Sequence, residues 1–271
     1  MHAASRPRLF LPLLVALIAA AWGCLLLWHG GPYARYLHGV DWADVSPLAD
    51  WCRAVPGGSA LVSGALYSGA WLLMIAAMML PTTLPLLDAF RRMTAGRPDA
   101  GALLARVVAG YVGVWALFGA GVDAVDAGVH ALAARSGWLT LNGWAVGAVI
   151  LALAGLYQFS RMKYECLDRC RSPMSFIVEN WTGVDARRDS LRLGIRHGIF
   201  CVGCCWSLMV VMFVVGAGSI AWMLGLAAVM AVEKNVSWGR SLARPLGAGL
   251  LLCAAAIVAA HTGLVPAWRA A

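Results

Sequence analysis

The chain has 271 residues, of which 61% are hydrophobic and only 13% are charged, and its formal net charge is +8. Soluble domains carry about 25% charged residues, so one soluble core cannot bury this much apolar surface. The mean hydropathy of +0.75 indicates an integral membrane protein instead. The basic residues lie between apolar segments, which argues against nucleic-acid binding. Eight scattered cysteines are too few for a disulfide-stabilised scaffold.

The apolar segments predict an all-α fold, a polytopic bundle of about seven membrane helices. No charged residue lies well inside any of them, and backbone groups in lipid must form their hydrogen bonds within the segment, so each segment is expected to be helical. The fifth and sixth segments are separated only by residues 216–218, and they form either two short spans or a re-entrant hairpin. The segments are approximately 9–28, 62–87, 102–122, 143–160, 198–216, 219–233 and 246–264.

The order of the segments predicts three regions. Residues 1–61 are expected to hold the first membrane helix and an outer interfacial loop. Residues 62–240 form the core membrane domain, with an inner loop at 161–197, and residues 241–271 form the last helix and a short outer tail. The first segment is long enough to span a bilayer and has no clear cleavage site, so we expect an uncleaved helix rather than a signal peptide.

The basic residues predict the orientation. With the N-terminus inside, the outer segments hold four arginines, and the remaining 17 of 21 basic residues lie on the inner side. Such an asymmetry favours an inside N-terminus and, with seven spans, an outside C-terminus. The outer arginines are Arg35, Arg53, Arg135 and Arg269.

Cysteines gather at the inner face in two groups. His197, Cys201 and Cys205 follow one another at intervals of four, and Cys204 is three residues after Cys201. Residues three and four apart share a helix face. The group extends over about 12 Å of helix axis, which is too long for one ion to be bound by all four residues of a straight helix. A second element must complete the site, and Cys166 and Cys170 are the candidates.

Methionines extend the same pattern. Met209 follows Cys205 by four residues, and Met74 and Met78 share a face of the second apolar segment. Thiolates and thioethers are the ligands of soft metals, so copper(I) is favoured over zinc as the bound ion. The alternative is that these methionines are ordinary apolar residues.

The same sulfurs allow a second function. Cys201 and Cys204 have the spacing of redox motifs, so a membrane thiol-disulfide oxidoreductase is the runner-up. The inner face is reducing, however, which disfavours stable disulfides. A non-catalytic assembly factor with structural cysteines is the third hypothesis. Glu233 and Lys234 are either a buried pair that supports the thiols or, as we prefer, a pair that reaches the interface with long side chains.

Several motifs together resemble a known family. They are Ala76–Thr82, the segment from Tyr157 to Pro173 with its two cysteines, and the segment from His197 to Met209 together with Glu233 and Lys234. These resemble the bacterial family of predicted metal-binding integral membrane proteins, a domain-of-unknown-function family. The resemblance covers roughly residues 65–240. It implies a polytopic inner-membrane protein with a metal site at these sulfurs, and it implies no reaction.

The sequence therefore predicts an inner-membrane protein that binds a soft metal ion for transport, delivery or sensing. No catalytic residue is assigned, and there is no phosphate-binding motif of an internal ATPase. The expected partners are the lipid bilayer and a metal-donor or metal-acceptor protein at the loop 161–197. The predicted ligands are Cys201, Cys204, Cys205, Cys166, Cys170, His197, Met74, Met78 and Met209.

Overall fold

The computed structural model describes residues 10–29, 69, 71–136, 138, 142–215 and 220–262. Within these ranges the chain is helical and contains no strand, which confirms the all-α class. A short 3-10 helix, Gly239–Leu242, precedes the last helix. The α-helices are α1 (Phe10–His29), α2 (Trp71–Met78), α3 (Leu80–Met93), α4 (Ala100–Ala133), α5 (Gly143–Tyr157), α6 (Arg161–Arg171), α7 (Pro173–Asn180), α8 (Ala186–Val215), α9 (Ile220–Asn235) and α10 (Ala243–Thr262).

Three of the described helices are long and apolar enough to cross a membrane. They contain the stretches Ala100–Val125, Ala186–Met212 and Gly239–Thr262. Two bent pairs, α2 with α3 and α5 with α6, bring the number to five if each pair is one span. The prediction of seven spans therefore stays a prediction, as do the orientation and the three regions. The outer loop, the break at 216–218 and the residues from 263 to the end lie outside the described residues.

Helix α8 occupies the centre of the bundle. Its most extensive interface is with α4, and it also packs against α5 and α6. The backbones of α4 and α8 approach closely because a glycine lies at their crossing. A Cβ atom on Gly194 would overlap the backbone carbonyl of Val107. Small residues that permit such an approach are typical of helix pairs in membranes.

A proline explains the bend between α2 and α3. Pro81 lies in the first turn of α3, where its missing N–H is tolerated, and the two helix axes differ by 63°. The Thr82 hydroxyl donates a 2.8 Å hydrogen bond to the Met79 carbonyl at the bend. Thr82 is thereby fixed in the interior, with 6% of its surface exposed.

The segment 161–197, expected to be a loop, is largely helical. It contains α6, α7 and the first turns of α8, and α8 begins at Ala186 rather than near residue 198. Ser160 starts α6 by accepting a hydrogen bond from the Lys163 backbone N–H at 3.1 Å. The 64° bend between α5 and α6 then lays α6 against α8. The two cysteine groups lie on these two helices.

Candidate metal centre

Four thiols converge where α6 packs on α8. Cys204 Sγ lies 3.3 Å from Cys205 Sγ and 3.9 Å from Cys170 Sγ. The Cys204 thiol also donates to the Cys201 carbonyl at 3.2 Å. We call Cys170, Cys201, Cys204 and Cys205 the thiol cluster. Its three members on α8 are at most 1% exposed, whereas Cys170 on α6 is partly buried.

Cys166 lies beside the cluster rather than within it. Its sulfur sits over Gly203, where an added Cβ atom would come within 2.5 Å of Sγ. Cys166 is partly buried and packs against the apolar core that contains the cluster. Of the two cysteines expected to complete the site, Cys170 is therefore the one in contact with Cys204.

A buried lysine contacts the cluster, as in the alternative interpretation of Glu233 and Lys234 that the sequence analysis did not prefer. Lys234 Nζ on α9 lies 2.9 Å from Cys201 Sγ and 3.2 Å from Thr82 Oγ1. The hydroxyl of Tyr111 on α4 lies 3.1 Å from the same sulfur. Cys201 Sγ thus has two polar neighbours besides the other thiols. Tyr111 carried no signal in the sequence, since it is one aromatic residue in an apolar segment.

The preferred interpretation of Glu233 and Lys234 as an interfacial pair is wrong. Glu233 is 1% exposed and Lys234 is 6% exposed. They do not pair with each other, because Lys163 Nζ contacts both carboxylate oxygens of Glu233 at 2.9 and 3.0 Å. Lys163 is itself fully buried and also donates to Gln158. Glu233 and Lys234 are therefore buried together with polar partners, whereas the preferred interpretation placed them in contact with water at the interface.

His197 is buried, and within the described ranges it forms no hydrogen bond with the thiols. Its ring stacks on Tyr111, with 5.7 Å between centroids, and meets Phe176 edge-on. Among the described residues its Nδ1 atom has no hydrogen-bond partner. It borders a small cavity together with Leu80 and Thr83. A ligand role for His197 stays a prediction.

The methionines surround the thiols in one continuous core. Met74, Met78 and Met209 are each at most 4% exposed and belong to the same buried cluster of side chains as Cys201, Cys204 and Cys205. This cluster also holds Met79, Met212, Met223 and Met230. Apart from the polar contacts of Cys201 and the exposed part of Cys170, the thiols are therefore surrounded by thioethers and hydrocarbon. Ligation by the methionines stays a prediction.

The thiols are ligands of the type that a soft metal ion prefers. Not all of their sulfur–sulfur distances, however, are as long as those around a bound metal ion. Within the described ranges, no group of three or more His, Cys, Asp or Glu side chains is arranged as a ready metal site. Sulfurs around a tetrahedral zinc ion lie about 3.8 Å apart, because each Zn–S bond is about 2.3 Å. The Cys170–Cys204 distance of 3.9 Å matches this value, and the Cys204–Cys205 distance of 3.3 Å is that of hydrogen-bonded thiols. Metal binding would replace these thiol contacts.

One comparison with known proteins identifies the family. The profile of the PpoB2 family, described as copper chaperone, matches residues 68–257, a stretch that contains every predicted ligand. Neither curated proteins nor solved structures gave a significant match. The match supports the expectation of a metal-related family, and the description of that family points to copper. Because the profile covers more than half of the chain, the protein belongs to the PpoB2 copper chaperone family.

Proposed function

We propose that this protein is a polytopic inner-membrane copper chaperone that binds copper(I) at the thiol cluster and delivers it to an acceptor protein. The observation that carries the proposal is the convergence of four thiols from two helices that are distant in sequence. Thiolates select copper(I) over hard cations. The surrounding methionines offer the ion further soft ligands or an apolar wall.

The surface of the helices supports a membrane location. Leu117 on α4 and Leu252 on α10 are 76% and 71% exposed, and only 17% of the apolar part of the stretch Gly239–Thr262, which contains α10, is buried within the chain. Exposed apolar faces on long helices are expected where lipid covers them. The distribution of the arginines supports an orientation in which α6 and the thiol cluster lie at the cytoplasmic end.

The burial of the thiols suggests a route for the ion. Cys166 and Cys170 are partly exposed on α6, and Cys201, Cys204 and Cys205 lie behind them. A donor or acceptor protein would contact the segment 161–197, and the ion would pass between partly exposed and buried thiols by exchange of ligands. This route assigns the docking role to α6 and α7.

Metal analysis tests the proposed function. After anaerobic loading with copper(I), we expect the full chain in detergent to retain copper in equimolar amount. The Cys201/Cys204/Cys205→Ser variant should retain almost none, because one thiol of the cluster remains. The Cys24/Cys253→Ser variant is the matched control, since both cysteines are exposed and outside the cluster. Equal copper in the wild type and the triple variant would contradict the proposal.

Thiol-disulfide exchange is a second candidate function. It is favoured by the ammonium group of Lys234 beside Cys201, because a nearby cation stabilises a thiolate nucleophile. The complete burial of Cys201 opposes it, since a protein disulfide cannot reach that sulfur directly. A mixed disulfide trapped by a Cys204→Ser or Cys205→Ser variant would favour exchange over copper delivery.

A further inference from the structure

Two cysteines from different helices face each other at the edge of the thiol cluster. Cys170 on α6 and Cys204 on α8 are 34 residues apart in the sequence, and their sulfur atoms lie 3.9 Å apart. A disulfide bond is about 2.04 Å long, so the two sulfurs need to approach by about 1.9 Å. A change of side-chain rotamer covers a distance of this size. The two thiols are therefore close enough to join α6 to α8 covalently.

The other thiols of the cluster are less suited to a disulfide bond. Cys204 and Cys205 are adjacent in α8, and adjacent Cα atoms are about 3.8 Å apart, below the range of about 4.4 to 6.8 Å in disulfides. Cys201 Sγ lies 2.9 Å from Lys234 Nζ and 3.1 Å from the Tyr111 hydroxyl, and it loses both contacts if it turns away. Cys204 is therefore the thiol of α8 that is most readily bonded to α6.

Exposure decides which of the two sulfurs meets an oxidant first. Cys170 is partly exposed on α6, whereas Cys204 is 0% exposed. Redox-sensing cysteines combine an accessible thiol with a neighbouring thiol that resolves the oxidised form. In reducing compartments such disulfides are transient, and they serve redox responses rather than stability. The arrangement of Cys170 and Cys204 has both parts of this device.

We propose that Cys170 and Cys204 are a modification site, a redox-sensitive pair that a hydroperoxide converts to a disulfide. The Cys170 thiol attacks the hydroperoxide, whose O–O bond breaks, and the products are a sulfenic acid and an alcohol, or water from hydrogen peroxide. The Cys204 thiol then attacks the sulfenic sulfur, so that the S–S bond forms, the S–O bond breaks and water leaves. The two thiols together lose two electrons, which reduce the peroxide. Two equivalents of a small thiol reverse the reaction by exchange.

Peptide mapping of the metal-free full chain in detergent tests the pair. The protein is treated with hydrogen peroxide, free thiols are blocked, and tryptic peptides are compared with and without dithiothreitol. Cleavage after Arg169 separates Cys166 from Cys170, so a linked peptide identifies which of the two has reacted. We expect a reducible link between the peptides of Cys170 and Cys204. Absence of this link, or a link from Cys166 in its place, would overturn the inference.

Single variants identify the partner of Cys170. The Cys204→Ser variant should lose the link and accumulate a Cys170 sulfenic acid that dimedone labels, because no thiol resolves it. The matched control is Cys166→Ser, which should keep the link, since Cys166 is also partly exposed on α6 but lies beside the cluster. A link from Cys170 that survives in Cys204→Ser would show that another thiol is the partner, and would overturn the assignment.

The disulfide removes two of the four thiols from the cluster, and its effect on copper rests on the proposed function. Oxidised wild-type protein should bind less copper(I) than the reduced protein, and reduction followed by removal of the reductant should restore binding. Equal binding by linked and reduced protein would overturn this effect on copper. Reduced protein that binds no copper would contradict the proposed function instead, whereas the linked peptide is measured without any metal.

Discussion

The contact between Cys166 and Gly203 sets how closely α6 approaches α8. The sulfur occupies the space in which any other residue at position 203 would place its Cβ atom. The Tyr157 hydroxyl donates a 2.5 Å hydrogen bond to the Gly203 carbonyl from the adjoining helix α5. Cys170 lies one helical turn after Cys166, so this contact also determines where Cys170 meets Cys204.

Replacing Gly203 by Ala tests this contact. In an open helix the change would stabilise the protein by about 1 kcal/mol. Here we expect the free energy of unfolding to fall by about 1–3 kcal/mol, because the added Cβ overlaps Cys166 Sγ and α6 must move. Unfolding by sodium dodecyl sulfate, followed by circular dichroism, measures the effect.

Gly225→Ala is the control for this prediction. Gly225 lies in α9 with no atom within 4 Å of an added Cβ. The Gly225→Ala variant should unfold at the same detergent concentration as the wild-type protein, or at a higher one. If Gly203→Ala were equally tolerated, the approach of α6 to α8 would not depend on this glycine.

At the scale of whole helices, a buried polar network connects α6, α8 and α9. Lys163 on α6 contacts Glu233 on α9, and Gln158 bonds Lys163 and the Ser207 hydroxyl on α8. All four side chains are at most 1% exposed. In an apolar bundle such a network specifies one arrangement of the helices, because other arrangements leave a charge without its partner.

The Glu233→Gln variant tests the network. It removes the negative charge and leaves the Lys163 ammonium buried without a carboxylate. We expect a loss of about 3–5 kcal/mol in the free energy of unfolding, as for other broken buried ion pairs. The same detergent titration measures this loss.

The matched control is Asp168→Asn, which removes a carboxylate from the exposed pair with Arg240. Its expected effect is about 0–1 kcal/mol, since water and salt screen an exposed pair. Similar losses in the two variants would show that the Lys163–Glu233 pair adds no more than a surface contact.

At the scale of the whole molecule, the distribution of arginines argues for one orientation in the bilayer. The last turn of α3 carries Arg91 and Arg92, and Arg97 lies in the turn that follows, whereas Arg135 is the basic residue in the turn after α4. With the first turn inside and the second outside, α4 crosses the membrane once. In this orientation, the thiol cluster is expected on the cytoplasmic side.

Reporter insertions test the orientation. Alkaline phosphatase, which is active only outside the inner membrane, is inserted into the full chain after the exposed residue Ala95 or Arg135. We expect activity only with the insertion after Arg135, because arginine-rich loops are retained inside. Green fluorescent protein at the same two positions is the reciprocal control and should fluoresce only after Ala95. Phosphatase activity after Ala95 would reverse the assignment of the thiol cluster to the cytoplasm.

Local patterns predicted much of the fold but not its bends. Each predicted apolar segment with described residues is helical. This follows from composition, because an apolar segment in lipid must form its backbone hydrogen bonds internally. The breaks near Met79 and Gln158 lie inside predicted segments, and α8 begins about three turns before its predicted apolar part. Apolar composition cannot distinguish a straight helix from a bent pair, nor locate the polar first turns of a helix.

Composition and spacing were enough to predict the helical class, to pick out side chains of the soft-metal-binding type and to indicate that α8 alone could not complete a site for one ion. These follow from composition, from the softness of sulfur and from the rise of an α-helix. The side chains that face Cys201 could be known only from the packing of the helices. Tyr111 is 90 residues from it in sequence, Lys234 is 33 residues away, and Thr82 is 152 residues from Lys234. Helix periodicity assigns residues to a face of one helix but carries no information on which helix covers that face, and packing of the whole bundle settles that question.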